Sequence, residues 1–376
     1  MGIEIDLNIP LLIPSCGLIY LVSKKGQLMK ISRRTFCNYA AAAMASTLYL
    51  RSDKVTAQHR TIMKPKRLQP GMTVGLVSPA SNAPENEDIS SSLDFVRSLG
   101  FMVKAAPNLF SRNQYLAGTD RQRAQDLNSF FADPEIDGIF CTRGGYGAPR
   151  ILPYLDYESI AANPKVFMGY SDITALLNAI QVKTGLVTYH GPMAFENFTD
   201  YTYEQFQRVI QNPGDLAQIG SPPEFELGPG RVERENRLTT ISSGVAEGRL
   251  VGGNLSLLVT LLGTEYEPDF KGSILFLEDV YEPPYSIDRM LTHLWLAGKL
   301  EQVSGIAFGK FTNASYGSNT FSVEEVIRSR CGNLGVPVLK GLMIGHTEDQ
   351  TVVPIGIPAR LDADQGQLSL LEKSVN

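Results

Sequence analysis

The chain reads as an α/β protein, with a parallel sheet wound by helices in its first half and a second, mixed α/β domain after it. Three features lead there. Short β-branched and apolar runs alternate with runs of helical spacing from residue 73 to residue 189, the pattern of β-α-β units whose strands lie parallel. Two of those apolar runs end directly in glycine-containing turns, at the carboxyl ends of strands where open α/β sheets bind ligands. A polar stretch rich in Pro and Gly, 212–247, then separates this half from a new set of strand-like and helix-like runs.

Taken in order, TVGLVSP at 73–79 is a short strand closed by a turn, and 89–99 carries apolar residues at helical spacing. Residues 101–105 and 136–141 read as strands on either side of a helix at 120–131, and 166–168 and 186–189 as strands on either side of a helix at 173–183. In the second half, Gly252 and Gly253 suggest a close turn that opens a helical run to 262. Strand-like 273–277, helical 287–297, strand-like 305–308 and a helix at 323–330 follow. The expected division is a domain at 67–211, linker and loops at 212–247, and a domain at 248–376.

Composition bounds the function. A chain of 376 residues and 41.2 kDa is long enough for two ordinary domains. A formal net charge of -5 gives no reason to expect a polyanion such as a nucleic acid as partner; a small or neutral substrate fits better. Cys16, Cys37, Cys141 and Cys331 are too few and scattered for a disulfide framework or a zinc cluster. The N-terminus resembles a twin-arginine export signal: Ser32-Arg33-Arg34-Thr35-Phe36, an alanine-rich apolar run at 39–50, and a small-residue cleavage pattern Val55-Thr56-Ala57. Met29 is the expected true start, with 1–28 an over-called extension and 29–57 the signal, which places the mature protein in the periplasm or outside the cell; a cytoplasmic location is the alternative. The apolar stretch 7–22 contains Pro10 and Pro14 and makes a poor membrane span, so no transmembrane helix is expected in the mature chain.

Two loops carry candidate chemistry. Arg143-Gly144-Gly145-Tyr146-Gly147 follows the 136–141 run, and paired glycines there can expose backbone N–H groups or admit a substrate close to the main chain. Neither a Walker-type phosphate loop nor the dinucleotide G-x-G-x-x-G spacing is present. Gly169-Tyr170-Ser171-Asp172 has the form of the front half of a nucleophile elbow, with Ile173 where the second glycine would stand. Ser171 or Asp172 would equally serve as an ordinary helix N-cap. A helix starting at Asp172 would turn free N–H groups and its positive end toward the serine, which suits an oxyanion.

A serine nucleophile needs a base and an acceptor that orients it. His59 lies beside the expected cleavage site, and His293 within a helical stretch. His190 ends a strand and would either line the pocket or be a structural histidine; His346 ends an apolar run before an acidic loop, where it can reach a cleft. Zinc chemistry lacks an H-E-x-x-H pattern, and a cysteine amidase would have to use Cys141, which also ends a strand.

YLAGTD, IFCTRGGYG, MGYSDIT, GGNLSLL, ILFLEDV and IGHT, in this order between residues 68 and 361, together resemble the serine LD-carboxypeptidase family, which includes muramoyltetrapeptide carboxypeptidases and microcin-immunity peptidases. The resemblance implies a flavodoxin-like N-terminal parallel-sheet domain, a β-rich mixed α/β C-terminal domain, and an active site in the interdomain cleft. It implies a triad of Ser171, Glu278 and His346, with Asp279 a conceivable substitute for Glu278. Strand alternation sends Glu278 and Asp279 to opposite faces, so only one can meet the histidine. The backbone N–H groups of Asp172 and Gly145 would bind the oxyanion, and Gly144, Arg143 and Tyr146 are possible substrate contacts. No cofactor or metal is implied. The implied substrate is a murein tetrapeptide that loses its terminal D-alanine, and the implied assembly is a homodimer.

Two further readings stand beside this one. The microcin-immunity branch cleaves acyl-sulfamoyl or acyl-phosphoramide adenylates, and a tryptophan able to stack on adenine would favour it; Trp295 is the only tryptophan and falls in a helical stretch. A murein-peptide binding protein without turnover would share the cleft.

Overall fold

The computed structural model describes residues 18–22, 28–32 and 61–376, the last without positions 215, 216 and 318. The chain divides into two compact units, Met1–His59 and Arg60–Asn376. In the first, strands Leu18–Val22 and Leu28–Ser32 pair antiparallel. Most of the expected export signal and its cleavage pattern, 33–57, lies outside the described residues.

The second unit contains two sheets. One has six strands, in the order Val353–Ile355, Thr188–His190, Val166–Gly169, Gly138–Cys141, Thr73–Val77 and Met102–Ala105. The last five are parallel. Numbered along the chain their order is 2-1-3-4-5, the flavodoxin-like arrangement, which reverses direction between Thr73–Val77 and Gly138–Cys141. Gly138–Cys141 and Val166–Gly169 are buried along their whole length, which is why they read as continuous apolar runs rather than alternating ones.

The other sheet has eight strands: Gln218–Ile219, Gln367–Leu370, Pro358–Asp362, Val245–Asn254, Ile274–Val280, Gly305–Thr312, Val338–Lys340 and Thr239–Ser242. Its four central strands, from Val245–Asn254 to Val338–Lys340, run parallel, and antiparallel strands flank them. Val353–Ile355 comes from the second half of the chain yet pairs antiparallel with Thr188–His190, so one chain segment stitches the two sheets together.

The alternation of side chains along Ile274–Val280 organises the interior. Ile274 and Phe276 join the large core shared with the flavodoxin-like sheet. Leu275 and Leu277 join a second core that also takes up Ile287, Leu291 and Leu294 of helix Pro284–Leu296 and Val326 and Ile327 of helix Val323–Cys331. The period-2 rule therefore sends Glu278 toward the first sheet and Asp279 toward the helices.

Two sequence expectations need correction here. The stretch read as linker and loops supplies the edge strands Gln218–Ile219 and Thr239–Ser242 and the start of Val245–Asn254; short polar edge strands carry little apolar alternation, so periodicity passes over them. Gly252 and Gly253 do not form a turn. They continue the Val245–Asn254 strand, and the helix begins only at Leu255. Glycine is needed because of close backbone approach: a Cβ on Gly252 would lie 1.9 Å from the Phe276 carbonyl oxygen, and one on Gly253 2.7 Å from Thr174. Both also have positive φ, 133° and 130°.

Gly252→Ala is therefore expected to lower unfolding free energy by about 3 kcal/mol or more, from overpacking against backbone and a strained φ. Urea denaturation of the two proteins measures it, and a loss near that of an ordinary surface substitution would contradict the packing described.

Candidate active site

The Val166–Gly169 strand ends on Tyr170, and Ser171 opens a 3-10 turn, Ser171–Ile173, that runs into helix Thr174–Thr184. Ser171 is half-buried and has φ of 59°, a left-handed conformation costly for a residue with a Cβ and frequent at functional turns. The elbow forms without its second glycine because Ile173 is fully buried over Gly169, where a Cβ would come within 3.0 Å of the Ile173 side chain. The regular helix starts at Thr174 rather than at Asp172.

Across from the serine lies the glycine loop. A side chain on Gly144 would stand 2.9 Å from Ser171 Cβ, 3.1 Å from its Oγ and 3.2 Å from the Asp172 nitrogen, so main chain alone faces the hydroxyl there. Gly145, with φ of 106°, turns its α-carbon toward Ser81, whose hydroxyl accepts from the Tyr146 N–H at 3.0 Å. Arg143 is half-buried, with its guanidinium 5.4 Å from the centre of the Phe195 ring. Tyr146 is 52% exposed and packs edge-on against Tyr115.

Glu278 and His346 are brought together. Glu278 is completely buried, and its Oε2 lies 2.7 Å from His346 Nδ1. With Nδ1–H donating to the carboxylate, the lone pair of the imidazole stands on Nε2. The approach depends on Gly345: at φ of 100°, any Cβ there would lie 2.3 Å from Glu278 Oε2. An extra residue in the neighbouring strand, where Leu277 pairs with Phe308 but Asp279 with Phe311, breaks the ladder beside Glu278. It frees the Lys310 N–H to donate to the Ile344 carbonyl at 3.0 Å, fixing the loop that bears His346.

Asp279 faces the other way, as alternation requires. It accepts from Ser256 N at 2.9 Å, Ser256 Oγ at 2.7 Å and Asn254 Nδ2 at 3.0 Å, holding the start of helix Leu255–Val259. Burial raises its pKa to about 6. Only Glu278 of the two is placed to orient the histidine.

The serine turn and the imidazole meet through Tyr170, whose ring is centred 4.7 Å from that of His346. Tyr170 donates its hydroxyl to Glu196 Oε1 at 2.5 Å, and Gln350 Nε2 donates to Glu196 Oε2 at 3.2 Å. The same three residues line a cavity of about 400 Å³ with His346, Thr347 and Glu348. Sequence reasoning missed Glu196 and Gln350, which sit in loops with no motif of their own; Tyr170 was visible only as a neighbour of the serine. From the other sheet, the Asn254 N–H donates to Thr174 Oγ1 at 3.1 Å, and Asn254 is the register partner of Glu278.

His190 is buried, between the Phe276 and Tyr170 rings, and neither ring nitrogen has a protein partner. Burial drives its pKa down to about 4, so it is a neutral interior residue and does not line the cavity. Cys141 is fully buried, and desolvation holds its thiol far above the ordinary range, unlike a reactive cysteine. Among the described residues, no three His, Cys, Asp or Glu side chains are grouped to hold a metal ion, and no helix is long and apolar enough to cross a membrane.

A serine on a strained strand-to-helix turn, main chain facing its hydroxyl, and a buried carboxylate–imidazole pair packed on the neighbouring Tyr170 ring fit a hydrolase of the serine carboxypeptidase type. The chain belongs to the LD-carboxypeptidase family, matching its N-terminal domain over residues 74–191 and its C-terminal domain over 247–361. It is 39% identical over 315 residues to a probable murein peptide carboxypeptidase of Bacillus subtilis, covering 83% of this chain and 95% of that one. Among solved structures, MccF in complex with glutamyl sulfamoyl guanosine superposes with a TM-score of 0.76 at 29% identity, covering 83% of this chain and 99% of that one. Muramoyltetrapeptide carboxypeptidase from Oxalobacter formigenes gives a TM-score of 0.67 at 27% identity, covering 80% and 98%.

Burial alone would lower the His346 pKa, but the hydrogen bond and charge of Glu278 outweigh it and hold the imidazole above its usual value. The Glu278 carboxylate is held down in turn: burial is the largest influence and acts upward, and the bond and charge of His346 reverse it. A base must be neutral, so with His346 as base the acid limb of kcat/KM is expected above the ordinary histidine value of about 6.5. Glu278→Gln removes the charge that raises it; the limb should move to lower pH, and kcat should fall about a thousandfold or more. A pH–rate profile in which Glu278→Gln leaves the limb in place would separate the two residues functionally.

Proposed function

We propose that this protein is a serine LD-carboxypeptidase that releases the terminal D-alanine of murein tetrapeptides. The observation that carries the reading is the buried Glu278–His346 hydrogen bond set beside the Ser171 turn. His346 Nε2 takes the Ser171 proton as Oγ bonds to the scissile carbonyl carbon, and Glu278 holds the imidazole tautomer and balances the imidazolium charge. The oxyanion is met by the backbone N–H groups of Asp172 and Gly145, aided by the positive end of helix Thr174–Thr184. Collapse breaks the C–N bond, the imidazolium proton passes to the departing D-alanine amine, and a water deprotonated by His346 then hydrolyses the acyl-enzyme.

The cavity beside His346 supports a peptide substrate with a diamino acid. Its lining includes the carboxylates of Glu196 and Glu348 and no Lys or Arg, a lining suited to an ammonium group. The names of the relatives support murein peptides as the class. Export through the twin-arginine motif Ser32 to Phe36 would bring the enzyme to murein fragments outside the cytoplasm, and a homodimer is the assembly the family resemblance suggests.

A second reading is favoured by the higher TM-score of MccF: hydrolysis of an acyl-sulfamoyl nucleoside by the same residues. Trp295 lies on helix Pro284–Leu296, is 46% exposed and is not among the residues lining the cavity, which gives no adenine platform there. Purified protein incubated with a murein tetrapeptide is expected to yield tripeptide and free D-alanine by mass, with at least about a thousandfold loss in Ser171→Ala. Turnover of an aminoacyl sulfamoyl adenosine with none of the tetrapeptide would select the second reading, and turnover of neither would reject both.

A further inference from the structure

The glycine loop and the serine turn follow different strands, and a single peptide unit ties them together. The Gly147 carbonyl accepts from Arg123 Nη1 at 2.8 Å, and the Ala148 N–H donates to Asp172 Oδ2 at 2.6 Å. These are the two polar ends of one peptide plane. Arg123 is 1% exposed and Asp172 2%, so a buried cation sits at the oxygen end and a buried anion at the hydrogen end. Both charges favour the same orientation of the peptide dipole, in an interior where such interactions are strong.

The clamp is anchored outward as well. Arg123 Nη1 also donates to the Pro79 carbonyl at 2.5 Å, beyond the Thr73–Val77 strand, and Nη2 to Asp120 Oδ1 at 2.5 Å. Asp120 is held in turn by two bonds from Arg150, each of 2.9 Å. Arg123 thus joins the loops after the two strands that flank the topological switch point. The main chain runs from the clamped peptide back to the loop through Gly147 and Gly145, with φ of 114° and 106°. Glycines in this region move easily unless bonds from outside fix them, and the loop they flank must stay within about 0.5 Å of its working position to act as an oxyanion donor.

We propose that the Arg123 guanidinium and the Asp172 carboxylate are positioning residues that grip the Gly147–Ala148 peptide from both ends and so preset the Gly144–Gly145 main chain against Ser171 before substrate arrives. The inference rests on the acyl-transfer reading above and goes beyond it, since neither side chain touches the reacting atoms. A clamp of this kind acts on the transition state, where the oxyanion exists, and leaves ground-state binding nearly untouched.

The test compares wild type with Asp172→Ala, Asp172→Asn and Arg123→Lys, each normalised to active sites and checked for an unchanged melting profile. Read-outs are kcat and KM on the tetrapeptide, the affinity of a peptide boronate, and the affinity of the tripeptide product. The boronate forms a B–O bond with Ser171 as the hydroxyl proton passes to His346, giving a tetrahedral anion. Asp172→Ala is expected to lower kcat and boronate affinity together by about a hundredfold while KM and tripeptide affinity stay within about twofold. Asp172→Asn, which keeps an acceptor oxygen, should recover part of that loss, and Arg123→Lys should lose at least about tenfold in the same two quantities. If Asp172→Ala does not fold, the other two variants carry the comparison. A folded variant whose boronate and tripeptide affinities fall in step, or whose kcat stays within about threefold of wild type, overturns the clamp. Wild type that binds the boronate but releases no D-alanine overturns the substrate reading instead, and the boronate affinities of the variants then decide the clamp.

Discussion

A carboxylate with no exposed surface is stable only where something nearby compensates its charge, and in this protein that compensation comes chiefly from one imidazole. Glu278 accepts from His346 through Oε2, while its Oε1 has no hydrogen-bond partner among the described residues. Desolvating a carboxylate costs several kcal/mol even after relaxation, so the pair is under tension: the charge of Glu278 is tolerable because His346 donates to it, and His346 is held basic because Glu278 accepts. The surroundings sharpen this mutual dependence. His190, close enough for its charge to matter, is kept neutral by burial, and Asp279 is turned away to serve a helix. The raised pKa of the imidazole is thus the work of the Glu278 carboxylate, acting against the burial that makes the pair expensive.

Reaching this arrangement requires main chain to pass where side chains normally sit. Gly345 lets the His346 loop lie over Glu278, Gly252 and Gly253 let the central strand press against Phe276 and Thr174, and Gly144 lets the loop come up to the serine. At each position the atom a Cβ would strike is either backbone or part of the candidate triad and its supports. The glycines are therefore spacing elements of the site. They also account for the motifs in which they occur, since IGHT and RGGYG each contain one of these close approaches and GGNLSLL contains two.

Much of the architecture was legible in the sequence. Parallel strands buried on both faces announce themselves as uniform apolar runs, and IFCT and VFMG are of that kind. Period-2 alternation alone separated Glu278 from Asp279, and the two cores show why: residues 274 and 276 belong to one and 275 and 277 to the other. What stayed hidden depends on contacts distant in the chain. Polar edge strands such as Thr239–Ser242 are strands because Val338–Lys340 is available to pair with them. Likewise the addition of Val353–Ile355 to the first sheet is a tertiary event that three apolar residues cannot signal. The pairing of Glu278 with His346 was readable only through resemblance to a family, because 68 residues separate them and no local pattern links a strand carboxylate to a loop histidine. Glu196 and Gln350, which meet across 154 residues, had not even that.

The stitching of the two sheets bears on how the site can work. The large core runs without interruption from the flavodoxin-like sheet to Ile274, Phe276, Ala307 and Leu339 of the other, and Val353–Ile355 is hydrogen-bonded into the sheet opposite to the one its neighbours build. Moving one sheet away from the other would break backbone hydrogen bonds and expose this shared core at roughly 25 cal/mol for every Å² of apolar surface. The turn that bears Ser171 and the loop and strand that bear His346 and Glu278 are thereby tied through a shared core and a shared strand. Groups fixed in this way need not reorganise when charge develops near them. Tyr146, Phe195 and Glu348, all exposed, lie on loops outside both sheets, where a change of side chain leaves the shared core and the joining strand undisturbed.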